Sequence, residues 1–439
     1  MTDSTLAEPA PTGRRAAGPL TRFRAAAADS LFRNSAFLLL ATVELAAGGF
    51  LFWQVVTHLF PAAEVGRASA LISASVLIGS CALLGMHNAV IRYLHTWEDD
   101  AATVDTALTT VLVAATAGAL AFVLLAPSVA PELAGLLRHP LNAALFVLLT
   151  SAYAANMLGD NVFVAARRSG FVLGRNTVVV ALRLVLPLAC LGLGALGIFT
   201  AYQGAMAAAV VVYLFALRRA LGLPSRLRLR RDRLAAMWRY SAWNYVATVI
   251  LMLPTLLMPI LVAERVDPAS AAYYYVAALL AGTLAFVPQA TSRSFFAEAE
   301  RDRTRMRASL GRVVRLTVAV ELPMLLALLL GGRFGLGLFG DQYAAAYPLL
   351  AVLAVTQALT SIGYVGSTVL MVLGRLRLLC ALSAAASAAA LLGAYLLLGR
   401  GLIWAGWSLL IGEVILAAIY LLLIRSVLDA ERPETPAPS

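Results

Sequence analysis

The sequence predicts an all-α polytopic membrane protein: twelve transmembrane helices forming two parallel six-helix bundles around a central cavity. Three observations predict it. Apolar residues make up 61% of the 439-residue chain, charged residues only 13%, and the mean hydropathy is +0.84, whereas a soluble domain carries about 25% charge. The apolar residues gather into twelve stretches, each near the roughly 20 residues that a hydrocarbon core of about 30 Å requires. The stretches are continuous rather than alternating, which selects helices over a barrel.

In chain order the helices are expected at residues 35–58, 67–91, 104–126, 141–164, 172–193 and 198–218, then at 240–263, 269–290, 312–331, 345–372, 376–398 and 402–424. The one sizeable polar linker, residues 220–239, separates a bundle at 34–219 from one of equal length at 240–425. An even number of helices per bundle makes the two parallel, related by an axis along the membrane normal. Pro61 and Pro268 open matching turns, and Val172-Leu173-Gly174-Arg175 recurs at Val372-Leu373-Gly374-Arg375. The arm 1–33 and the tail 426–439 are Pro- and Arg-bearing polar segments expected to be disordered. The arm also lacks the short apolar core and cleavage site of a signal peptide.

All 34 basic residues are Arg, and alternate connections share them unequally. The arm holds Arg14, Arg15, Arg22, Arg24 and Arg33; the next connection on that side holds Arg167, Arg168 and Arg175. The linker region Arg218 to Arg239 has eight and Arg293 to Arg315 has seven. The opposite connections carry Arg67, Arg138, Arg265, Arg333 and Arg400, one apiece. The positive-inside rule therefore expects both termini in the cytoplasm and the cytoplasmic membrane as the location. On this reading the net charge of +11 serves topology and contact with anionic membrane lipids, with no role for nucleic acid. Cys81, Cys190 and Cys380 lie in separate spans without metal-ligand spacing. No GxxxxGK loop and no serine-histidine-acid arrangement is visible. We expect no enzyme activity, no catalytic residues, no metal and no cofactor.

A charge inside hydrocarbon is costly and therefore a functional candidate. Glu44, Asp160, Arg183, Glu321 and Glu413 qualify. Arg183 is expected about 16 Å from the inner end of its helix and Glu44 about 12 Å deep, at the helical rise. An ion pair of Arg183 with Glu44 or Asp160 is one reading. The other is a cation that grips phosphate, since a guanidinium matches phosphate bidentately and stays charged. Asn176 shares the Arg183 face, and Tyr153, Asn156 and Asp160 form a polar stripe on the fourth helix. Asn88 and Arg92 share a face near the inner end of the second helix, where Arg92 either guards the mouth or snorkels. Arg293, which ends the eighth helix, is its counterpart. Glu321 and Glu413 have no basic residue at their depth, so protonation is the simplest way to neutralise them. H+ or Na+ coupling through these acids follows as one reading, and a neutral hydrogen-bonded acid as the other.

Several passages resemble the bacterial polysaccharide export family, the Wzx-type oligosaccharide flippases. These belong to the larger multidrug, oligosaccharidyl-lipid and polysaccharide exporter superfamily. They are Ala63-Glu64-Val65-Gly66-Arg67-Ala68-Ser69-Ala70; Gly85 through Arg92-Tyr93; Phe339-Gly340-Asp341-Gln342-Tyr343 with Tyr347-Pro348; Gly374-Arg375; and Gly401 through Gly406. The resemblance implies an alternating-access transporter that moves a polyprenyl-diphosphate-linked oligosaccharide between leaflets. A polymerase or glycosyltransferase would be its partner. A cavity holding Arg183, Arg92 and Asn176 would suit the anionic and sugar portions. A cation-coupled multidrug antiporter and a non-transporting scaffold of a glycan assembly complex are the alternatives.

Overall fold

The computed structural model describes residues 30–94, 96–97, 99–220, 222, 226–301 and 306–430. The arm through residue 29 and the tail from 431 lie outside the described residues. Among the described residues, twelve helices are long and apolar enough to cross a membrane. The N-terminal half comprises α1 (Ser30–Leu59), α2 (Ala62–Ala82), α3 (Met86–Tyr93), α4 (Asp100–Val129), α5 (Pro131–Leu137), α6 (Pro140–Ala165), α7 (Gly170–Ala189) and α8 (Gly194–Ala220). The C-terminal half comprises α9 (Arg231–Arg265), α10 (Pro268–Ala281), α11 (Phe286–Arg301), α12 (Met306–Gly337), α13 (Tyr347–Val372), α14 (Leu376–Leu397) and α15 (Ile403–Ala430). The chain belongs to the multi-pass membrane proteins.

Local chemistry sets most of the boundaries. Asp99 and Asp267 accept from the backbone N–H groups of Ala102 and Ser270 at the starts of α4 and α10, satisfying donors that a first helical turn leaves free. Proline occupies the first turn of α5, α6, α10 and α13, where its missing N–H forfeits nothing.

Two spans differ from expectation. The second is not continuous over 67–91: it stops at Ala82 and resumes at Met86, with Leu84 at φ 47° and Gly85 at φ 77°. Gly85 suits the left-handed conformation, and a Cβ there would lie 2.6 Å from Ser241 Oγ. The eighth span, expected at 269–290, is likewise divided by a 3-10 turn at Gly282–Ala285 and continues to Arg301. The helix α9 also begins at Arg231, well inside the expected linker.

The two ends of the molecule are packed differently. At the arginine-poor end one continuous core joins both halves, including Trp53, Val65 and Phe199 from one and Met258, Ala277 and Phe339 from the other. Towards the arginine-rich end the cores are separate: one in the N-terminal half that takes in Met237 and Tyr245 of α9, with Leu234 and Val249 packed against it, and others confined to the C-terminal half. Gly66 fixes the closed end. A Cβ at this position would come within 1.6 Å of the Pro268 carbonyl oxygen, so only glycine lets α2 meet the start of α10.

Charged groups reinforce that seam. Arg67 donates to Glu64 (2.9 Å) and Glu132 (2.7 Å), and Glu64 accepts from Ala195 N–H at 2.6 Å. Glu264, at the end of α9, reaches across and accepts from the N–H groups of Glu132 and Leu133 (3.1 and 3.3 Å).

Candidate functional site

Arg183 on α7 is 2% exposed. Its guanidinium carbon lies 3.6 Å from the centre of the Tyr202 ring of α8, a cation–π contact strengthened by the lack of water. Trp53 of α1 lies 6.2 Å from Tyr202 and 4.4 Å from Tyr275 of α10, while Phe52 meets Tyr202 edge to face at 5.2 Å. The Tyr153 and Tyr275 hydroxyls both lie within electrostatic reach of Arg183. The rings form an aromatic box with Arg183 against its Tyr202 wall, closed by one residue, Tyr275, from the other half.

The guanidinium is under-used. Arg183 Nε and Nη2 are buried with no hydrogen-bond partner among the described residues. The ion pairs considered from sequence do not form. Asp160 pairs with Arg175, at 2.6 Å from Nη1 and with a 2.8 Å hydrogen bond from Nη2. Glu44 is half-buried on α1, its Oε2 also without a partner, and α1 packs along α7.

Arg175 was counted from sequence among the topology-setting arginines, yet it is only 5% exposed. Beyond Asp160 it donates to Asn156 Oδ1 (2.9 Å) and Asn176 Oδ1 (2.7 Å). The amide groups are spent as well: Asn176 Nδ2 donates to the Ala41 carbonyl and Asn156 Nδ2 to Met206 Sδ. Asn156 and Asn176 thus hold Arg175, and their side-chain polar atoms are already engaged. Asp160 and Asn176 do border a space of about 420 Å³ with Leu38, Leu45, Val172 and Phe286.

Asn88 and Arg92 do come together. With Tyr240 and Ser241 of α9 they line a cavity of about 490 Å³ at the arginine-rich end. The Arg92 guanidinium lies 4.4 Å over the Tyr240 ring, and Tyr93 stacks on Trp97 at 4.3 Å. Arg293 is exposed on α11, its charge felt by the Tyr364 hydroxyl.

The C-terminal half holds a separate cavity of about 320 Å³, lined by Tyr274, Gln357, Thr360, Ser387, Glu413 and Tyr420 among others. Glu413 and Thr360 share that cavity wall. The neighbouring Ser361 meets both oxygens of Glu321, at 2.6 and 2.7 Å. Glu321 is only 6% exposed. Two carboxyls from α12 and α15 therefore lie near consecutive hydroxyl residues of α13.

Sequence reasoning missed Arg175 as a buried anchor and Trp53, Tyr202 and Tyr275 as the box. The available signals were an Arg three residues inside a span and the run Tyr273-Tyr274-Tyr275, of which at least one ring must face a neighbouring helix.

A sequence model of a family described as "polysaccharide biosynthesis protein" matches residues 55–348. No curated protein matches the chain. Among solved structures, an inward-facing multidrug resistance MATE family transporter of the MOP superfamily has a TM-score of 0.66 at 15% identity, covering 88% of this chain and 95% of its own. An outward-facing MATE family transporter gives 0.60 at 16% identity, covering 91% and 96%. A MOP superfamily transporter from Pyrococcus furiosus Vc1, described as having a binding pocket of reversed polarity, gives 0.59 at 15%, covering 91% and 96%. The fold is the one these transporters share.

Proposed function

The chain belongs to the polysaccharide biosynthesis protein family, and from that premise we propose that it is an alternating-access flippase. Its cargo is a polyprenyl-diphosphate-linked oligosaccharide, carried across the cytoplasmic membrane for cell-surface polysaccharide biosynthesis. The observation that carries the reading is Arg183: a buried cation of the N-terminal half with two guanidinium nitrogens unpartnered among the described residues. Such a group needs an anion, and a diphosphate supplies one in bidentate geometry.

The unequal ends support the cycle. With the arginine-rich end in the cytoplasm, the closed seam is external and the mouth at Asn88 and Arg92 opens inward. Arg92 and Arg293 meet the anionic head first, Arg183 receives it deeper, and the polyprenyl tail stays in lipid. The acids Glu413 and Glu321 supply H+ or Na+ coupling. A polymerase or glycosyltransferase would act on the delivered or loaded carrier.

The test is leaflet reorientation of a lipid-linked glycan in reconstituted vesicles. Arg183→Ala should slow flipping about tenfold to a hundredfold, the worth of a charge-assisted contact, with Arg92→Ala weaker. Normal flipping by both variants removes the cationic site. A second reading, a cation-coupled multidrug antiporter, is favoured by the Glu413 cavity; transport of a cationic drug with no movement of glycolipid selects it. Failure to move either cargo leaves the scaffold.

A further inference from the structure

Trp53 is 1% exposed and belongs to α1; Tyr275 is half-buried and belongs to α10. They are the point at which the two halves close the Arg183 box. Their rings meet at 4.4 Å and an interplanar angle of 47°, neither the offset stack nor the edge-to-face contact that aromatic pairs prefer. Because they sit on opposite halves, any separation of the closed end must part them. Parting them exposes ring faces next to Tyr202, against which rests a guanidinium whose Nε and Nη2 have no partner among the described residues.

Two unlike surfaces would be uncovered together: negative ring faces and a cation. Water serves the guanidinium but not the rings. A sugar phosphate serves both, since the axial C–H groups of a pyranose carry partial positive charge towards a ring face while the phosphate meets the guanidinium. A carrier without sugar covers only the cation. A cationic drug covers only the rings.

Resting on the flippase reading, we infer that Trp53 and Tyr275 are a sugar-binding pair: stacked on each other while the end is closed, and on the pyranose nearest the diphosphate when it opens. The rings thereby make opening depend on a loaded carrier. Tyr202, held against Arg183 at 3.6 Å, is a positioning residue that keeps the cation beside them.

The experiment uses the full chain in vesicles with two kinds of probe: a panel of polyprenyl diphosphates bearing one hexose or N-acetylhexosamine, and sugar-free polyprenyl diphosphate. Flipping is read alongside labelling of Ser69→Cys by a membrane-impermeant maleimide, with the native cysteines replaced. Ser69 is fully buried one turn beyond Gly66 and becomes reachable only when the seam parts. Sugar-bearing lipid should raise labelling and sugar-free lipid should not. Trp53→Ala and Tyr275→Ala should each slow flipping of the sugar-bearing lipid about tenfold and remove the sugar-dependent labelling. Trp53→Phe and Tyr275→Phe keep a ring face at each position, so they should retain most of both signals.

Alanine variants that flip and label as the unsubstituted protein does would overturn the sugar pair while leaving the flippase intact. Phenylalanine variants as damaged as the alanine ones would also overturn it. If the unsubstituted protein moves no lipid of the panel, the flippase reading falls first and this inference with it.

Discussion

The two halves share one scaffold and differ in the charges they bury. The N-terminal half encloses two guanidinium groups, Arg175 and Arg183, at 5% and 2% exposure, besides Asp105 near the start of α4. The C-terminal half encloses Glu321 against the Ser361 hydroxyl and half-buries Glu413 in a cavity that Thr360 also lines, with no buried arginine among the described residues. Within the N-terminal half a second contrast appears. Arg175 has a carboxylate and two amides arranged around it, whereas Arg183 has a ring face and unpartnered nitrogens. Arg175 has a counter-ion although its Nε also lacks a partner among the described residues; a paired buried charge fixes structure, and one without a counter-charge is held for something else.

The contrast between the arginines breaks most sharply at Asp160. Asp160→Ala strands a buried guanidinium and should lower stability by about 3–5 kcal/mol, read as thermal unfolding in detergent. Arg183→Met removes a charge that leaves no partner behind, so stability should hold or rise while flipping fails. Equal destabilisation by the two variants would erase the distinction between structural and cargo-binding arginine.

The helices were legible because bilayer thickness fixes their length, and hydropathy reports it. Breaks within a span were not: Leu84 and Gly85 are as compatible with a continuous apolar run as their neighbours, and the turn there packs closely against Ser241 of another helix. Arg183, Glu321 and Glu413 stood out as charges far from any span end. Arg175 did not, because an arginine near an end reads as snorkelling. The aromatic box was hidden for another reason. Trp53, Tyr202 and Tyr275 are distant in sequence, and a ring in an apolar span carries no mark of which neighbour it meets.

The C-terminal half should respond differently from the N-terminal one. Ser361 has one hydroxyl hydrogen for two Glu321 oxygens, so a proton on Glu321 completes both hydrogen bonds. Thr360 donates to the Thr356 carbonyl at 3.0 Å and so offers no hydrogen to Glu413 across the cavity they line. Glutamine carries donors of its own. Glu413→Gln should therefore change stability by less than about 1 kcal/mol yet abolish the response of transport to a pH gradient, since Glu413 borders the cavity. Glu321→Gln, away from that cavity, should weaken the response less. A gradient response unchanged in both variants would remove the acids from coupling.

The smallest effect belongs to the place where the two polarities meet. Glu264 brings a carboxylate from the C-terminal half to the N–H groups of Glu132 and Leu133 at the start of α5, the positive end of a helix in the other half. Glu264→Gln keeps an oxygen that can accept but discards the charge, a change worth about 0.3–1 kcal/mol at a helix start. That amount would shift the closed-to-open balance about twofold to fivefold towards opening, read as Ser69→Cys labelling without cargo. Salt should mimic the substitution in the native protein and add little to the variant, because the lost term is Coulombic and screened. A salt response of equal size in both would assign the closure to the Gly66 and Pro268 contact alone, with no contribution from opposite charge across the seam.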